Sequence, residues 1–146
     1  MEKVLFVTNL LLAGFLTGLI WYVQVAQYPL FLNVGKSEFL DYHAQHSNLT
    51  TVVVILPMLF ELGTSGLLLL SRPPEFVWWA AILALLLNLA IWAATFFVSV
   101  PLHNQLDAHG YDAQVIGQLV ATNWLRTIAW TARLGILTFF LFKLLK

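Results

Sequence analysis

The sequence predicts an all-α membrane protein, an antiparallel up-down four-helix transmembrane bundle forming one domain over residues 1–146. Three observations predict it. Hydrophobic residues make up 60% of the chain and charged ones only 10%, whereas soluble domains carry about 25% charged residues. The apolar residues gather into four long stretches. Each stretch is long enough to cross a bilayer core of about 30 Å, which takes about 20 residues of helix.

The first span covers about 4–28. Lys3 before an apolar run resembles a secretory leader, but Val4 to Val25 is too long for a leader's apolar part and no small-x-small site follows it. "YPLFLNVGKSE", with Pro29, Asn33 and Gly35, punctuates its end. The second span covers about 48–70 with an N-terminal extension from residue 37. There Ser37 is the expected N-cap, with Glu38 and Asp41 in or just after the first turn. His43 and His46 therefore ride on a protruding helix end. The "SRPPE" turn makes helices two and three antiparallel neighbours. The third span covers about 76–100, "PLHNQLDAHGYDA" connects it to the fourth, and the fourth covers about 116–142. No internal repeat is evident.

Lys3, Arg72, Lys143 and Lys146 flank one side of the spans, while the opposite connections carry Lys36 against Glu38, Asp41, Asp107 and Asp112. The bias predicts that both termini are cytoplasmic and that all four histidines lie on the outer side. The chain is thus expected to be a multi-pass integral membrane protein with the lipid bilayer as its first partner. Zero net charge and scattered basic residues argue against nucleic acid. The absence of cysteine excludes disulfides, thiolate metal sites and cysteine nucleophiles.

Seven polar or ionisable residues interrupt the spans: Asn9, Gln24, Glu61, Asn88, Asn123, Arg126 and Arg133. Such groups should face the bundle interior or a cavity. Counted inward at about 1.5 Å per residue, Glu61 and Arg133 both lie ~15 Å deep. They are predicted to pair, with Asn88 at similar depth as a third member. The pair reads either as a lock fixing helix register or as a proton or substrate site. At about 100° per residue, His43, His46, Thr50, Val54, Pro57, Glu61 and Thr64 share one helix face. Asn123, Arg126, Trp130 and Arg133 share another; Asn88, Trp92, Thr95 and Ser99 a third; Asn9, Ile20, Gln24 and Gln27, more loosely, a fourth. Lipid offers these groups no partner, so the four stripes should converge on a polar pocket open to the outer face, walled by Trp92, Trp124 or Trp130.

His43 and His46, at i and i+3, are spaced for two imidazoles to reach one ion, and His103 could supply a third nitrogen. Three histidines would suit zinc or copper. The alternative is that they hydrogen-bond carboxylates such as Asp41 or Asp107. Ser47, Ser65 and Ser99 lack a nucleophile elbow. "GTSG" at Gly63 to Gly66, like Gly14 with Gly18, reads as small residues for close helix packing.

The segment "VPLHNQLDAHGYDAQVIGQLVATNWLRTIAWTARLGIL" carries a Pro-x-x-Asn-x-Leu turn followed by an Asn, Trp and Arg cluster. On Pro101, Asn104, Leu106, Asn123, Trp124 and Arg126 the chain resembles the anthrone-oxygenase-like family of small four-helix membrane proteins. The resemblance implies oxygenation of polycyclic aromatic substrates without an organic cofactor. "YHAQH" and "MLFELG" lie outside that pattern. The expected function is a metal- or small-molecule-binding enzyme, an oxidoreductase, with His43, His46 and His103 on a metal or on a small hydrophobic or aromatic substrate. Arg126 would then hold an anionic oxygen, and Glu61 with Arg133 would tune the pocket floor. The alternative is a non-catalytic accessory subunit, packed as a homo-oligomer or within a larger membrane complex.

Overall fold

In a computed structural model describing all residues from Met1 to Lys146, four helices of equal length form the bundle: α1 (Glu2–Asn33), α2 (Phe39–Leu70), α3 (Trp78–His109) and α4 (Ala113–Leu144). Each packs on two others, α1 on α2 and α4, α3 on α2 and α4. With four antiparallel crossings, both termini lie at one end. A helix of this length is about 48 Å long at 1.5 Å per residue. Its ends therefore project beyond a core of about 30 Å.

The bundle is apolar outside and keeps its polar side chains within an otherwise apolar core. Phe15, Val52, Leu56, Phe60, Leu89, Phe97 and Ile128 are exposed, while 12 of the 36 buried residues are polar or charged. Such an arrangement suits lipid and not water, because only groups turned inward find hydrogen-bond partners in a bilayer. The chain is an integral membrane protein. Toward the termini the interior is dry: Phe6, Phe76 and Phe140 meet edge to face, with ring centroids 5.0 and 5.3 Å apart, among Leu68 and Leu137.

The helix ends differ from the expected spans for identifiable reasons. α1 does not stop near Pro29, nor α3 near Pro101. In each, a five-residue π turn precedes the proline, Val23–Gln27 in α1 and Thr95–Ser99 in α3, with the proline two residues past the turn. Proline removes a donor and crowds the preceding turn, and the widened π turn absorbs that disturbance so the helix continues. The two odd-numbered helices thus share a device that hydropathy does not reveal. As a result His103 sits inside α3, not past its end.

Ser37 does not cap α2. Its hydroxyl bonds the Glu38 carboxylate at 2.7 Å, and the helix begins at Phe39 without a side-chain cap. Asp112 caps α4 instead, accepting from the Gln114 and Val115 amides at 2.8 and 3.1 Å. The glycines read as packing contacts are not at helix crossings within the chain. An added Cβ would meet nothing within 4 Å at Gly18, Gly63 or Gly66, and only Leu134 at 4.0 Å from Gly14.

Gly110 is different: with φ 79° and ψ −152° it ends α3 in a conformation essentially reserved for glycine, and a Cβ there would sit 3.5 Å from Leu40. Gly110→Ala is expected to cost about 1–3 kcal/mol in thermal unfolding of the detergent-solubilised protein. Gly63→Ala, on an open helix face, should leave the transition in place.

Candidate functional site

Two polar clusters occupy the bundle axis. The inner one is built on Arg133, fully buried on α4. Its Nη1 donates to Glu61 Oε1 at 2.5 Å, its Nη2 to Asn9 Oδ1 and Ser65 Oγ at 2.7 Å each, and its Nε to the Ala84 carbonyl at 3.1 Å. The second Glu61 oxygen accepts from the Trp130 indole at 3.1 Å. The Asn9 amide donates back to the Glu61 carbonyl at 3.1 Å and to Thr64 Oγ1 at 2.7 Å. The expected pair is therefore present, and Asn9 of α1 joins it through hydrogen bonds. Asn88, fully buried, lies beside the Glu61 carboxylate as expected but outside ordinary hydrogen-bond geometry. Depth alone could not separate them, because the choice depends on how each helix is rotated about its axis.

This cluster ties all four helices together through one guanidinium. A buried pair repays its desolvation only when the remaining donors and acceptors are satisfied. Here both carboxylate oxygens and all three guanidinium nitrogens are bonded.

The outer cluster lies near the end opposite the termini. His43 of α2, with no exposed surface, places Nδ1 2.6 Å from Asp107 Oδ1 and Nε2 2.9 Å from His103 Nδ1. The other His103 nitrogen, Nε2, is 3.0 Å from the Tyr28 hydroxyl, which accepts from Arg126 Nη2 at 3.1 Å. Five side chains from all four helices thus form one continuous line. The ends fix its sense. Arginine can only donate and an ionised aspartate can only accept, so with neutral rings each group in turn donates to the next: Arg126 to Tyr28, Tyr28 to His103, His103 to His43, His43 to Asp107. Both histidines then carry their proton on Nδ1, an assignment that follows from the network.

Arg126 is held by a second chain. Its Nη2 also donates to Asn123 Oδ1 at 2.6 Å, the Asn123 amide donates to Gln24 Oε1 at 2.8 Å, and the Gln24 amide donates to the Val120 carbonyl at 3.1 Å. The guanidinium remains short of partners. Only 8% of Arg126 is exposed, its Nε is buried without an acceptor, and neither of the two ion pairs in the chain includes it.

The three candidate metal ligands do come together. The rings of His43, His46 and His103 lie with centroids 5.1, 6.1 and 6.3 Å apart. As arranged, however, both nitrogens of His43 and of His103 are engaged in hydrogen bonds. His46 stands apart from the line, its Nδ1 3.2 Å from the Gln27 amide and 3.3 Å from Thr50 Oγ1. No group of three or more histidine, aspartate or glutamate side chains is placed to hold a metal ion. Zinc or copper would have to displace the existing bonds.

The site opens in two directions. A small inner chamber of about 70 Å3 lies beneath Tyr28 and Arg126, lined mainly by apolar residues such as Leu16, Val54 and Met58, with Trp130 at its side. Tyr28, Thr50, Val54 and Arg126 also border a polar mouth that includes His46, His103, Asn104 and Asp107. Of the three tryptophans expected as walls, Trp130 lines the chamber. Trp124 faces outward and meets Trp21 edge to face at 5.6 Å, and Trp92 stacks on Phe96 at 5.3 Å.

Tyr28 is the member of the line that sequence reasoning missed. Its spacing of four from Gln24 was the available signal, since i and i+4 share a helix face, but its place beside Pro29 marked it as the end of a span. Asp107, four residues from His103, is the carboxylate expected as a histidine partner, and it is bonded to His43. Comparison of the chain with family models, with curated proteins and with solved structures gives no match.

Proposed function

We propose that the protein is a membrane-embedded acid–base site that binds a lipid-soluble small molecule through an anionic or carbonyl oxygen and exchanges protons between that molecule and the aqueous face. The observation that carries this reading is the unbroken line from Asp107, whose side chain is 41% exposed, to Tyr28 and Arg126 at the chamber. As oriented, the line carries a proton from the chamber to Asp107: Tyr28 accepts one from the bound molecule as it gives its own to His103 Nε2, His103 gives its Nδ1 proton to His43 Nε2, and His43 gives its Nδ1 proton to the Asp107 carboxylate. The same hops in reverse reprotonate the molecule and restore the first arrangement. Arg126 supplies a fixed positive charge for oxygen that is negative in the bound or reacting state, in a site where few other dipoles compete. An oxidoreductase role would add electron transfer to this acid–base core. Asn104, Asn123 and Arg126, three of the residues shared with the anthrone-oxygenase-like pattern, lie at the mouth or hold the guanidinium. On the charge bias of the connections, the mouth faces away from the cytoplasm.

The test is hydrogen–deuterium exchange at the acidic carbon of a 1,3-diketone with a decyl tail, followed by NMR on purified protein in neutral detergent. Acceleration over protein-free micelles is expected. His103→Gln should remove about 10²–10⁴-fold of it, the range for a positioned general acid or base. No acceleration, or equal rates in parent and variant, would contradict the reading. A copper or zinc site on His43, His46 and His103 competes with it, and predicts stoichiometric metal that is lost in His43→Ala and His46→Ala. A second reading, the accessory subunit, draws on Gly63 and Gly66, whose helix face is open at the surface. It requires a partner to co-purify in mild detergent and fails if the protein runs alone.

A further inference from the structure

A groove between α1 and α2 runs from the chamber to the lipid-facing surface. Its walls include Leu19, Val23, Leu49 and Val53, and it shares Leu19, Val23 and Thr50 with the chamber. Leu49 and Val53 are exposed on the flank of α2, where the bilayer lies. The space is mainly apolar from the lipid inward, with Gln27, His46 and Thr50 along its outer side, until it reaches Tyr28 and Arg126. There it meets a nine-tenths buried cation with no carboxylate partner and an unbonded Nε. A buried charge without a counter-charge is costly in such surroundings, and the polar mouth offers the guanidinium no ion pair.

We propose that the ligand is a single-chain amphiphile of the fatty-acid class, a monoanionic oxyanion head on one apolar chain, which enters sideways from the bilayer between α1 and α2 and seats its head on Arg126. The proposal rests on the acid–base reading for the identity of the site and adds the substrate class and the entry path. A carboxylate has the charge and planar shape of an enolate, so the group that anchors one can stabilise the other. The groove accepts one chain, and the mouth, lined by His46, His103 and Asp107, is the route for water and protons. The same oxyanion chemistry is found in an anionic phospholipid headgroup, which carries two chains.

The experiment measures binding of carboxyl-labelled decanoate to the full-length protein in dodecyl maltoside, by the carbon-13 shift and by thermal stabilisation, with decanol as the neutral analogue. Saturable binding of decanoate and none of decanol is expected. Arg126→Gln should weaken decanoate at least tenfold while Arg126→Lys retains most of the affinity, and Leu19→Trp, which fills the groove, should weaken it with the cation intact. Equal stabilisation by decanoate and decanol, or undiminished binding to Arg126→Gln, would overturn the proposal. Displacement of decanoate by equimolar phosphatidylglycerol in nanodiscs would also overturn it, because the headgroup would then be the occupant. The diketone exchange assay fails or succeeds on His103, so binding without exchange would leave the anion site standing and remove the acid–base reading.

Discussion

Glu61→Gln and Arg133→Gln are each expected to lower stability by about 3–5 kcal/mol, the cost of leaving one buried charge without its partner. The double variant should cost less than the sum of the two, since neutral amides at both positions leave no orphan charge. The effect is large because Arg133 bonds four partners at once, on α1, α2 and α3, and Glu61 additionally holds the Trp130 indole. Asn9→Ala should show a smaller loss of about 1–3 kcal/mol, leaving one guanidinium hydrogen unpaired. Thermal unfolding in mild detergent, followed by far-ultraviolet circular dichroism, measures all four. Additive effects at Glu61 and Arg133 would mean that the two do not interact.

Tyr28→Phe is expected to remove about 10²–10⁴-fold of the diketone exchange rate while leaving the fold in place. The ring packs against Phe31 at 5.6 Å and His103 at 5.5 Å, contacts that phenylalanine keeps. The hydroxyl is what is lost, and it is the one link between His103 and Arg126. Stability should fall by about 1 kcal/mol, the net worth of an ordinary hydrogen bond. Decanoate binding should persist, because the Arg126 charge remains and Asn123 still orients it. A rate loss matched by loss of binding would place Tyr28 in anchoring the ligand and not in moving a proton.

The inward faces were legible in the sequence because lipid leaves polar groups no alternative. All four polar stripes turn inward, and the Glu61–Arg133 pair follows from depth and burial alone. Helix ends were less legible, since Pro29 and Pro101 normally terminate helices and here follow π turns that carry the chain onward. That misreading hid Tyr28 and put His103 outside its helix. The part of Asn9 was not legible: Asn88 lies beside Glu61 as its depth predicts, but the hydrogen bonds go to Asn9 on a different helix. The histidines illustrate a further limit: i, i+3 spacing brings rings together but does not say whether their nitrogens face an ion or each other. The answer depends on Asp107 and Tyr28, which arrive from α3 and α1 and close both ends of the line.

The direction of that line is the central claim, and nitrogen-15 NMR of ring-labelled histidine in the ligand-free protein tests it most directly. His43 and His103 should both appear as neutral rings protonated at Nδ1, with a strongly deshielded proton between His43 and Asp107 that disappears in Asp107→Asn, and His46 should carry its proton on Nε2. A proton on Nε2 of neutral His43 or His103, or shifts typical of metal-bound imidazole, would contradict the account.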